Sequence, residues 1–255
     1  MSLMSRRALI TSVGAGGVLL SGCDRITHSP AVNRFIGHGE GLTFQAQRLL
    51  LAGQPLAREF KAADISPVFK ANGSLAPDTA AYRAIQANGF ATWRLAVDGL
   101  VHRPMSFSLA ELKAMPSRTQ ITRHDCVEGW SAIGGWTGVQ LHRVLSMAGL
   151  TPNARFVVFH CADDLAGTGT ADGLYYESID LFDAFHPQTL LAYAMNGAPL
   201  EVAHGAPLRL RVERQLGYKQ AKYVMRLEIT DRLDHLGHGK GGFWEDRGYE
   251  WYAGI

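Results

Sequence analysis

The chain has 255 residues, of which 47% are hydrophobic and 19% charged, and its formal net charge is +2. This composition is typical of a globular domain with a well-buried core and excludes a disordered or low-complexity chain. The small net charge gives no indication of nucleic-acid binding. The three cysteines are too few for a disulfide framework, so each of them is a candidate for a chemical role.

The first 23 residues have the pattern of an export signal. Arg6-Arg7 stand before an apolar stretch, Ala8 to Leu20, which is interrupted by Thr, Ser and Gly and falls short of the roughly 18 apolar residues that a membrane-spanning helix needs. The paired arginines resemble the signal of proteins that are exported already folded. Leu20-Ser21-Gly22-Cys23 resembles a bacterial lipobox, which implies cleavage before Cys23 and a lipid on its thiol.

These signals together imply a periplasmic protein that is held on the inner membrane, because Asp24 resembles the retention signal of inner-membrane lipoproteins. An ordinary secretory peptide that leaves Cys23 as a free thiol is the alternative. Residues 24–41 are polar and irregular, and we interpret them as a tether between the lipid and a domain at 42–255.

Helices and strands follow one another irregularly along this domain. Spacing and caps predict helices at Phe44–Leu51, Asp78–Asn88, 109–115 behind a Ser108/Glu111 capping box, and Leu141–Ala148. Alternation and β-branched content predict strands at Trp93–Gly99, Arg118–His124, Arg155–Cys161, Leu190–Met195, Leu200 onward, Pro207–Val212 and Tyr223–Ile229. Strands outnumber helices with no regular βαβ order, which predicts a single α+β domain with mixed sheets.

Cys126 lies just past the predicted strand Arg118–His124, in the sequence Arg-His-Asp-Cys-Val-Glu-Gly-Trp. A thiolate is a soft metal ligand and a strong nucleophile. A lone cysteine beside His, Asp and Glu therefore indicates either a thiolate-bound metal or a Cys/His nucleophile that uses His124. A buried inert thiol and a disulfide with Cys161 are the alternatives.

A second candidate site is the cationic stretch between Gly205 and Lys222. Its glycines let a ligand approach the backbone closely, and its cations supply donors that suit a phosphate: Arg209, Arg211, Arg214, Lys219 and Lys222. The alternative is a solvated strand face with alternating arginines, which applies most to Arg211 and Arg214.

Four ordered stretches resemble one known family, the sulfite oxidase superfamily of molybdopterin-dependent oxidoreductases, in its YedY-like branch of periplasmic methionine-sulfoxide reductases. The stretch similar to the molybdenum-bearing segment consists of Arg123, Cys126, Val127, Glu128, Trp130 and Ser131, followed by Trp136-Thr137-Gly138. The other stretches are 186–190, 205–210 and 217–222. The resemblance implies a sulfite oxidase-type molybdopterin-binding fold and oxygen-atom transfer to or from sulfur.

The same resemblance implies a mononucleotide-free Mo-molybdopterin cofactor, with Cys126 as the protein ligand of the metal and Glu128 as a carboxylate that moves protons nearby. The positions implied to bind the cofactor are Asn72, Arg123, Cys161, His204, Arg209, Gln220, Ala221 and Lys222. The family has Thr where this chain has Cys161 and Asn where it has His204. We expect substrate preference or redox tuning to differ at Cys161.

Charge favours one direction of reaction. Sulfite oxidases follow their cysteine with an arginine-rich stretch, whereas Asp125 and Glu128 create an acidic setting that disfavours sulfite by like-charge repulsion. We therefore expect a reductase of neutral S-oxides such as methionine sulfoxide, free or protein-bound. A sulfite dehydrogenase of the same fold is the alternative. A non-catalytic periplasmic binding lipoprotein and a Cys/His hydrolase are alternatives from other classes.

The chain has no haem-attachment Cys-x-x-Cys-His, so electrons are expected from a separate protein, which the resemblance implies is a membrane b-type cytochrome. The short stretch after Lys222 leaves no room for the extra domain of the dimeric sulfite oxidases. We expect a monomer that does not bind nucleic acid.

Overall fold

The computed structural model describes Ser29 and residues 41–255. The chain divides into two compact units, residues 1–55 and Leu56–Ile255. In the first unit residues 41–50 are helical, which confirms the helix predicted at Phe44–Leu51. The export signal and nearly all of the tether lie outside the described residues, and the domain start at 42 stays a prediction. No helix in the described part of the chain is both long and apolar enough to cross a bilayer.

Two β-sheets form the framework of the second unit. The first sheet has the strand order β2-β1-β10-β5-β6, with β1 Arg94–Gly99, β2 Met105–Ser108, β5 Phe156–Asp164, β6 Leu174–Asp180 and β10 Val224–Thr230. The second has the order β3-β4-β7-β8, with β9 added beside β7; its strands are β3 Ser117–Asp125, β4 Ser131–Gln140, β7 Leu190–Met195, β8 Ala198–Pro199 and β9 Arg209–Arg211.

Strand pairing in these sheets is mixed. β1 runs parallel to β10, whereas the other pairs between the named strands are antiparallel. Leu227 of β10 pairs with Phe159 of β5, and both side chains are fully buried in the main core. The predicted α+β architecture with mixed sheets is therefore confirmed.

Four short α-helices pack around the sheets: α1 Ala80–Ala87, α2 Leu109–Ala114, α3 Leu141–Ala148 and α4 Leu181–Ala184. The predicted capping box is present, because the Glu111 backbone N–H donates to Ser108 Oγ at 3.2 Å and the Ser108 N–H donates to the Glu111 carboxylate at 2.7 Å. Single 3-10 turns lie at Ala62–Asp64, Ala171–Gly173, Val202–His204, Gly217–Lys219 and Glu245–Arg247.

The strand predicted from Leu200 onward was wrong. The returning strand is only β8, and the chain then enters the 3-10 turn Val202–His204. Pro199 explains the early end, because proline has no backbone N–H with which to continue a ladder. β4 is a strand that the sequence patterns do not predict, and its Gly138 sits where a Cβ would collide with the Leu191 carbonyl of β7. Glycine is normally unfavourable in strands, so a glycine-rich sequence does not predict one. In β4 the glycine is needed because the backbone of β7 approaches it closely.

The ends of several strands meet on one side of this unit. Cys126 directly follows β3, Asp163 lies near the end of β5, and Tyr175 lies near the start of β6. Arg209 begins β9, and Lys222 lies two residues before β10. All five residues line one cavity.

Candidate active site

The cavity has a volume of about 200 Å³, far more than the roughly 30 Å³ that one water molecule occupies in the liquid. Three stretches supply most of its wall: 69–74, 124–130 and 203–222. The C-terminal segment adds Trp244 and Tyr249. Seven of the predicted site residues line it together: Asn72, Cys126, Glu128, His204, Arg209, Gln220 and Lys222.

Cys126 is presented to the cavity by the tight turn between β3 and β4. Its N–H donates to Trp130 O at 2.9 Å, and the Gly129 N–H donates to Cys126 O at 3.0 Å. Gly129 has φ 84°, a value that favours glycine. Asn72 Nδ2 donates to Cys126 Sγ at 3.4 Å. The thiol is therefore held at the cavity wall with a hydrogen-bond donor from a distant segment beside it.

Glu128 lies at the mouth of the cavity, with about half of its side chain exposed. Its carboxylate accepts from Trp130 Nε1 at 3.3 Å and from Lys70 Nζ at 3.3 Å. Hydrogen bonds from Trp130, Lys70 and Asn72 lower the pKa of Glu128 below its ordinary value. The group is therefore an ionised carboxylate whose charge Lys70 balances, and its role in moving protons stays a prediction.

Asp125 and Arg123 lie outside the cavity lining, on the other side of the turn. Arg123 Nε donates a hydrogen bond to the Asp125 carboxylate at 2.9 Å, and the Ser131 hydroxyl donates a second one at 2.5 Å. The expected acidic setting from Asp125 is therefore wrong: its charge is paired with Arg123 and does not face the cavity. Arg123 does not line the cavity, so its position does not support the predicted contact with the cofactor.

His124 lines the cavity. The sequence indicates only one role for it, as the partner of a Cys126 nucleophile. Arg211 Nη1 lies 3.0 Å from His124 Nδ1. A guanidinium only donates, so Nδ1 accepts and the ring proton is assigned to Nε2. Burial, with the charges of Arg211 and Arg209, lowers the pKa of His124 well below its ordinary value. A neutral histidine oriented by a cation instead of a carboxylate does not fit a Cys/His hydrolase.

Arg209 and Gln220 offer unpaired polar atoms to the cavity. Arg209 Nη1 donates to His204 O at 3.0 Å, and its guanidinium lies 4.8 Å from the centre of the Trp136 ring. Arg209 Nε and Gln220 Oε1 are buried without a hydrogen-bond partner among the described residues. Burial, followed by the charge of Arg211, lowers the pKa of Arg209 to about 9. Buried donors and acceptors without partners are typical of a site that a polar ligand completes.

Lys222 ties two walls of the cavity together. Its Nζ donates to Asn72 O at 2.8 Å, to Ala203 O at 3.0 Å and also to Ser74 O. Burial, followed by the charge of Arg209, lowers the pKa of Lys222 to about 7. In this arrangement Lys222 positions the segment that carries Asn72, and its contact with a phosphate stays a prediction.

The other predicted cations do not reach the cavity. Arg211 pairs with Glu213 at 2.6 Å, Arg214 with Asp183 at 2.7 Å and Lys219 with Glu245 at 2.6 Å. The phosphate donors expected from Arg211, Arg214 and Lys219 are therefore wrong, because each side chain is buried against its own carboxylate.

Cys161 and Ala221 are buried and do not belong to the cavity lining. The Ala221 carbonyl accepts from Leu210 N at 2.8 Å. Cys126 and Cys161 are both free thiols, so the disulfide alternative is wrong. Cofactor contacts of Cys161 and Ala221 stay predictions.

Asp163 is a cavity residue that sequence reasoning missed. It is 4% exposed, and its Oδ1 has no hydrogen-bond partner among the described residues. Burial raises the pKa of Asp163 to about 6. The only signal in the sequence is its place near the end of an apolar strand, where polar side chains often reach a site.

The residues present fit a metal-bound pterin. The cavity combines a thiol, a soft ligand for molybdenum, with the unpaired polar atoms of Arg209, Gln220 and Asp163, which match the many donors and acceptors of a pterin. The Arg209 cation suits a terminal phosphate.

Residues 82–236 match the family model described as oxidoreductase molybdopterin binding domain. The chain is 37% identical over 254 residues to a protein of Azospira oryzae that bears the provisional name protein-methionine-sulfoxide reductase subunit YedZ1, covering 99% of this chain and 88% of that protein. It is 33% identical over 145 residues to the protein-methionine-sulfoxide reductase catalytic subunit MsrP of Campylobacter jejuni, covering 54% of this chain and 49% of that protein.

A third relative is MsrP of Xanthomonas axonopodis, 37% identical over 150 residues, which covers 55% of this chain and 46% of that protein. The chain thus matches about half the length of the two MsrP relatives. Among solved structures, the sulfane dehydrogenase SoxCD of Paracoccus pantotrophus is similar over 56% of this chain and 39% of that chain, with 25% identity and a TM-score of 0.49.

The family model covers more than half of the chain and contains the segments around Cys126, Arg209 and Lys222. The 37% identity to the Azospira protein extends over 99% of the chain. The chain therefore belongs to the oxidoreductase molybdopterin binding domain family and is an oxidoreductase.

Proposed function

We propose that this protein reduces neutral S-oxides, with methionine sulfoxide as the representative substrate. The reaction breaks the S–O bond and consumes two electrons and two protons, so that R₂SO becomes R₂S and water. The observation that carries the proposal is the Cys126 thiol at the cavity wall with Asn72 Nδ2 at 3.4 Å. The names of three relatives, all methionine-sulfoxide reductase proteins, support the substrate class.

The cofactor of this proposal is molybdenum bound to a nucleotide-free molybdopterin. When bound, it would supply the two-electron oxygen-atom transfer. Cys126 would ligate the metal as a thiolate, with the Asn72 side chain hydrogen-bonded to its sulfur. Arg209 and Gln220 would hold the pterin and its phosphate through atoms that are unpaired in the protein alone.

The charges at the mouth support a neutral substrate. Glu128 and Lys70 form an ion pair at 3.3 Å, so the entrance carries opposite charges that balance each other. Lys70, the cation beside Glu128, is therefore already paired and less available to bind a dianion such as sulfite. Protons are available from solvent at this open end, and Glu128 is the carboxylate placed to pass them on.

Electron supply and location complete the proposal. Electrons come from a separate membrane cytochrome of the b type. The protein is exported by the twin-arginine route, lies in the periplasm as a monomer and is anchored to the inner membrane through a lipid on Cys23. The support is the Arg6-Arg7 pair and the Leu-Ser-Gly-Cys sequence that ends at Cys23.

The test begins with the matured protein isolated from bacteria that synthesise molybdopterin. Elemental analysis should find about one molybdenum per chain, with a pterin released on denaturation. Oxidation of a reduced viologen dye by methionine sulfoxide should exceed sulfite-dependent reduction of an oxidised acceptor. Active protein without molybdenum would exclude the cofactor. Efficient sulfite oxidation without S-oxide reduction would instead favour the sulfite dehydrogenase alternative.

A further inference from the structure

The C-terminal segment brings aromatic side chains to the cavity from outside the matched family domain. That domain ends at residue 236, whereas Trp244 and Tyr249 line the cavity beyond it. Tyr249 is 38% exposed, which places it at the open end. The segment therefore reaches the same site from beyond the matched residues.

These rings form a continuous surface. Trp244 and Tyr249 are stacked with their centroids 5.3 Å apart and an interplanar angle of 26°. Tyr218 meets Tyr249 edge to face, at 5.1 Å and 83°. We call Tyr218, Trp244 and Tyr249 the aromatic wall.

Buried contacts next to the wall hold it in place. Glu245, adjacent to Trp244, is 3% exposed and pairs with Lys219 Nζ at 2.6 Å. Lys219 Nζ also pairs with Glu177. Tyr218 Oη donates to Glu250 O at 2.6 Å, and the Tyr249 N–H donates to Trp244 O at 3.0 Å. The ring surface is therefore preorganised, and little ordering would be needed for a ligand to pack on it.

The aromatic wall continues toward the Cys126 turn. Gly217, next to Tyr218, packs so closely on His124 that a Cβ there would lie 2.6 Å from His124 Nε2 and 3.3 Å from Asp125 O. His124 is two residues from Cys126, and all of these side chains except that of Asp125 line the one cavity. The wall thus runs from the neighbourhood of the thiol to the open end.

The chemistry of the wall suits one kind of ligand. Ring faces carry a negative quadrupole, so they attract sulfur groups and polarised methyl groups and disfavour anions. The methyl group of a sulfoxide is polarised by its electron-poor sulfur and carries no charge. We propose that the aromatic wall is the subsite for the S-methyl end of a neutral methyl sulfoxide, and that it determines preference for such substrates.

This proposal rests on the proposed S-oxide reductase function and deepens it. Arg209 and Gln220 have buried polar atoms without hydrogen-bond partners among the described residues, which suit the pterin. Trp244 and Tyr249 instead present stacked rings, and Tyr249 reaches the open end of the cavity. This difference in chemistry assigns the wall to substrate instead of cofactor.

Trp244→Leu and Trp244→Phe in the cofactor-loaded, full-length protein test the wall. Leucine keeps apolar bulk and removes the ring, whereas phenylalanine keeps a ring face. We expect Trp244→Leu to raise KM for methionine sulfoxide about five- to tenfold with little change in kcat, the size of one lost sulfur–aromatic contact. Trp244→Phe should restore most of the affinity. Phe185→Leu, at an exposed ring that does not line the cavity, is the matched control and should leave KM unchanged.

An equilibrium measurement separates this proposal from the proposed function. Without a reductant the enzyme cannot turn over, and we expect binding of methionine sulfoxide to give a tryptophan fluorescence change on titration that Trp244→Leu abolishes. If the fluorescence change persists in Trp244→Leu, or if the KM of this variant equals that of the wild type, the proposal that the aromatic wall binds substrate is overturned. Loss of molybdenum and pterin from Trp244→Leu would also overturn it, because the ring would then hold the cofactor.

The two ideas fail in different ways. If the wild type shows the Trp244-dependent signal but cannot reduce the bound sulfoxide with reduced dye, the proposed function is wrong and the substrate subsite is supported. If turnover is normal and independent of Trp244, the substrate subsite is wrong and the proposed function is supported.

Discussion

The Cys126 thiol depends on a neighbour that lies far away in the chain. Asn72 donates to its sulfur across a sequence separation of 54 residues, and Lys222 holds the Asn72 carbonyl at 2.8 Å. Cys126 as a whole residue is 8% exposed, so little water reaches it. Such a group is protected from general solvent but open to a ligand in the cavity.

Cys126→Ser should abolish molybdenum binding and turnover while leaving the fold intact. A hydroxyl is close in size to a thiol but is a poor ligand for a soft metal site, and Asn72 can still donate to it. Molybdenum content by elemental analysis and thermal unfolding by circular dichroism test the two halves of the expectation. Wild-type molybdenum content in the variant would show that Cys126 is not the ligand.

Glu228 stands at the centre of a charged cluster on the first sheet, away from the cavity. It contacts His160 at 2.8 Å, Arg226 at 3.0 Å and His235 at 3.4 Å, and Arg226 in turn pairs with Asp98 at 2.8 Å. The hydrogen bond from His160, then the charge of Arg226, lowers the pKa of Glu228 from 4.5 to about 2. Folding therefore favours the ionised form of this carboxyl.

Glu228→Gln should destabilise the protein by about 1–2 kcal/mol near neutral pH, a value discounted for partial exposure. A depressed pKa gives stability that is fully present above 4.5 and is lost as the pH falls toward about 2. Urea unfolding from neutral pH down to about pH 3 should show a difference between wild type and variant that shrinks below 4.5. The exposed Glu201→Gln serves as the control. A difference that does not change with pH would contradict the assignment.

Two 3-10 turns, Gly217–Lys219 and Glu245–Arg247, are joined through one buried lysine. Lys219 is fully buried, and its Nζ lies between the carboxylates of Glu177 and Glu245. Burial raises the pKa of Glu177 well above its ordinary value, and the charge of Lys219 opposes that shift. The cation thus connects the turn beside the cofactor stretch to the C-terminal segment.

Lys219→Met should cost about 3–5 kcal/mol of unfolding free energy, because it leaves the Glu245 carboxylate buried without its cation. Urea unfolding measures the loss. The double variant Lys219→Met, Glu245→Gln should recover part of it, since the charge that Glu245 would leave buried without a cation is then removed. Lys113→Met, at an exposed lysine, is the control and should change stability by about 0.5 kcal/mol or less. A loss in Lys219→Met no larger than this would show that the cluster does not hold the segment.

The whole molecule is expected to reach its membrane through its first 23 residues, which lie outside the described structure. Cys23→Ala should release the mature protein from membranes into the soluble periplasmic fraction, because the lipid on Cys23 is the proposed anchor. Cell fractionation in high salt, followed by detection of the protein, measures this. Membrane attachment that persists in high salt would point to a protein partner as the anchor.

Arg6→Lys with Arg7→Lys separates export from anchoring. This double variant should leave the precursor in the cytoplasm, whereas Cys23→Ala should still be exported. Export of the double variant at the wild-type rate would show that another pathway carries the protein.

The sequence by itself determined the elements with strong local signals. The capping box at Ser108 and Glu111, the strand ending at Gly99 and the helix Leu141–Ala148 all depend on residues within a few positions of one another. The sequence also predicted Cys126 and Arg209 as site residues, because both lie in stretches that resemble the family, and both line the cavity. β4 was missed, since its glycines matter only once β7 lies against it.

Only the tertiary structure decided which charges face the cavity. Arg211, Arg214 and Lys219 look equivalent to Arg209 in the sequence, yet each is paired with a buried carboxylate. The bond between Arg211 and His124 joins residues 87 positions apart, and that between Lys219 and Glu177 joins residues 42 apart. Such pairs depend on the order of strands and on which side each turn faces. The local sequence pattern specifies neither the strand order nor the direction of a turn. A charged side chain can be buried only where folding brings it an oppositely charged partner.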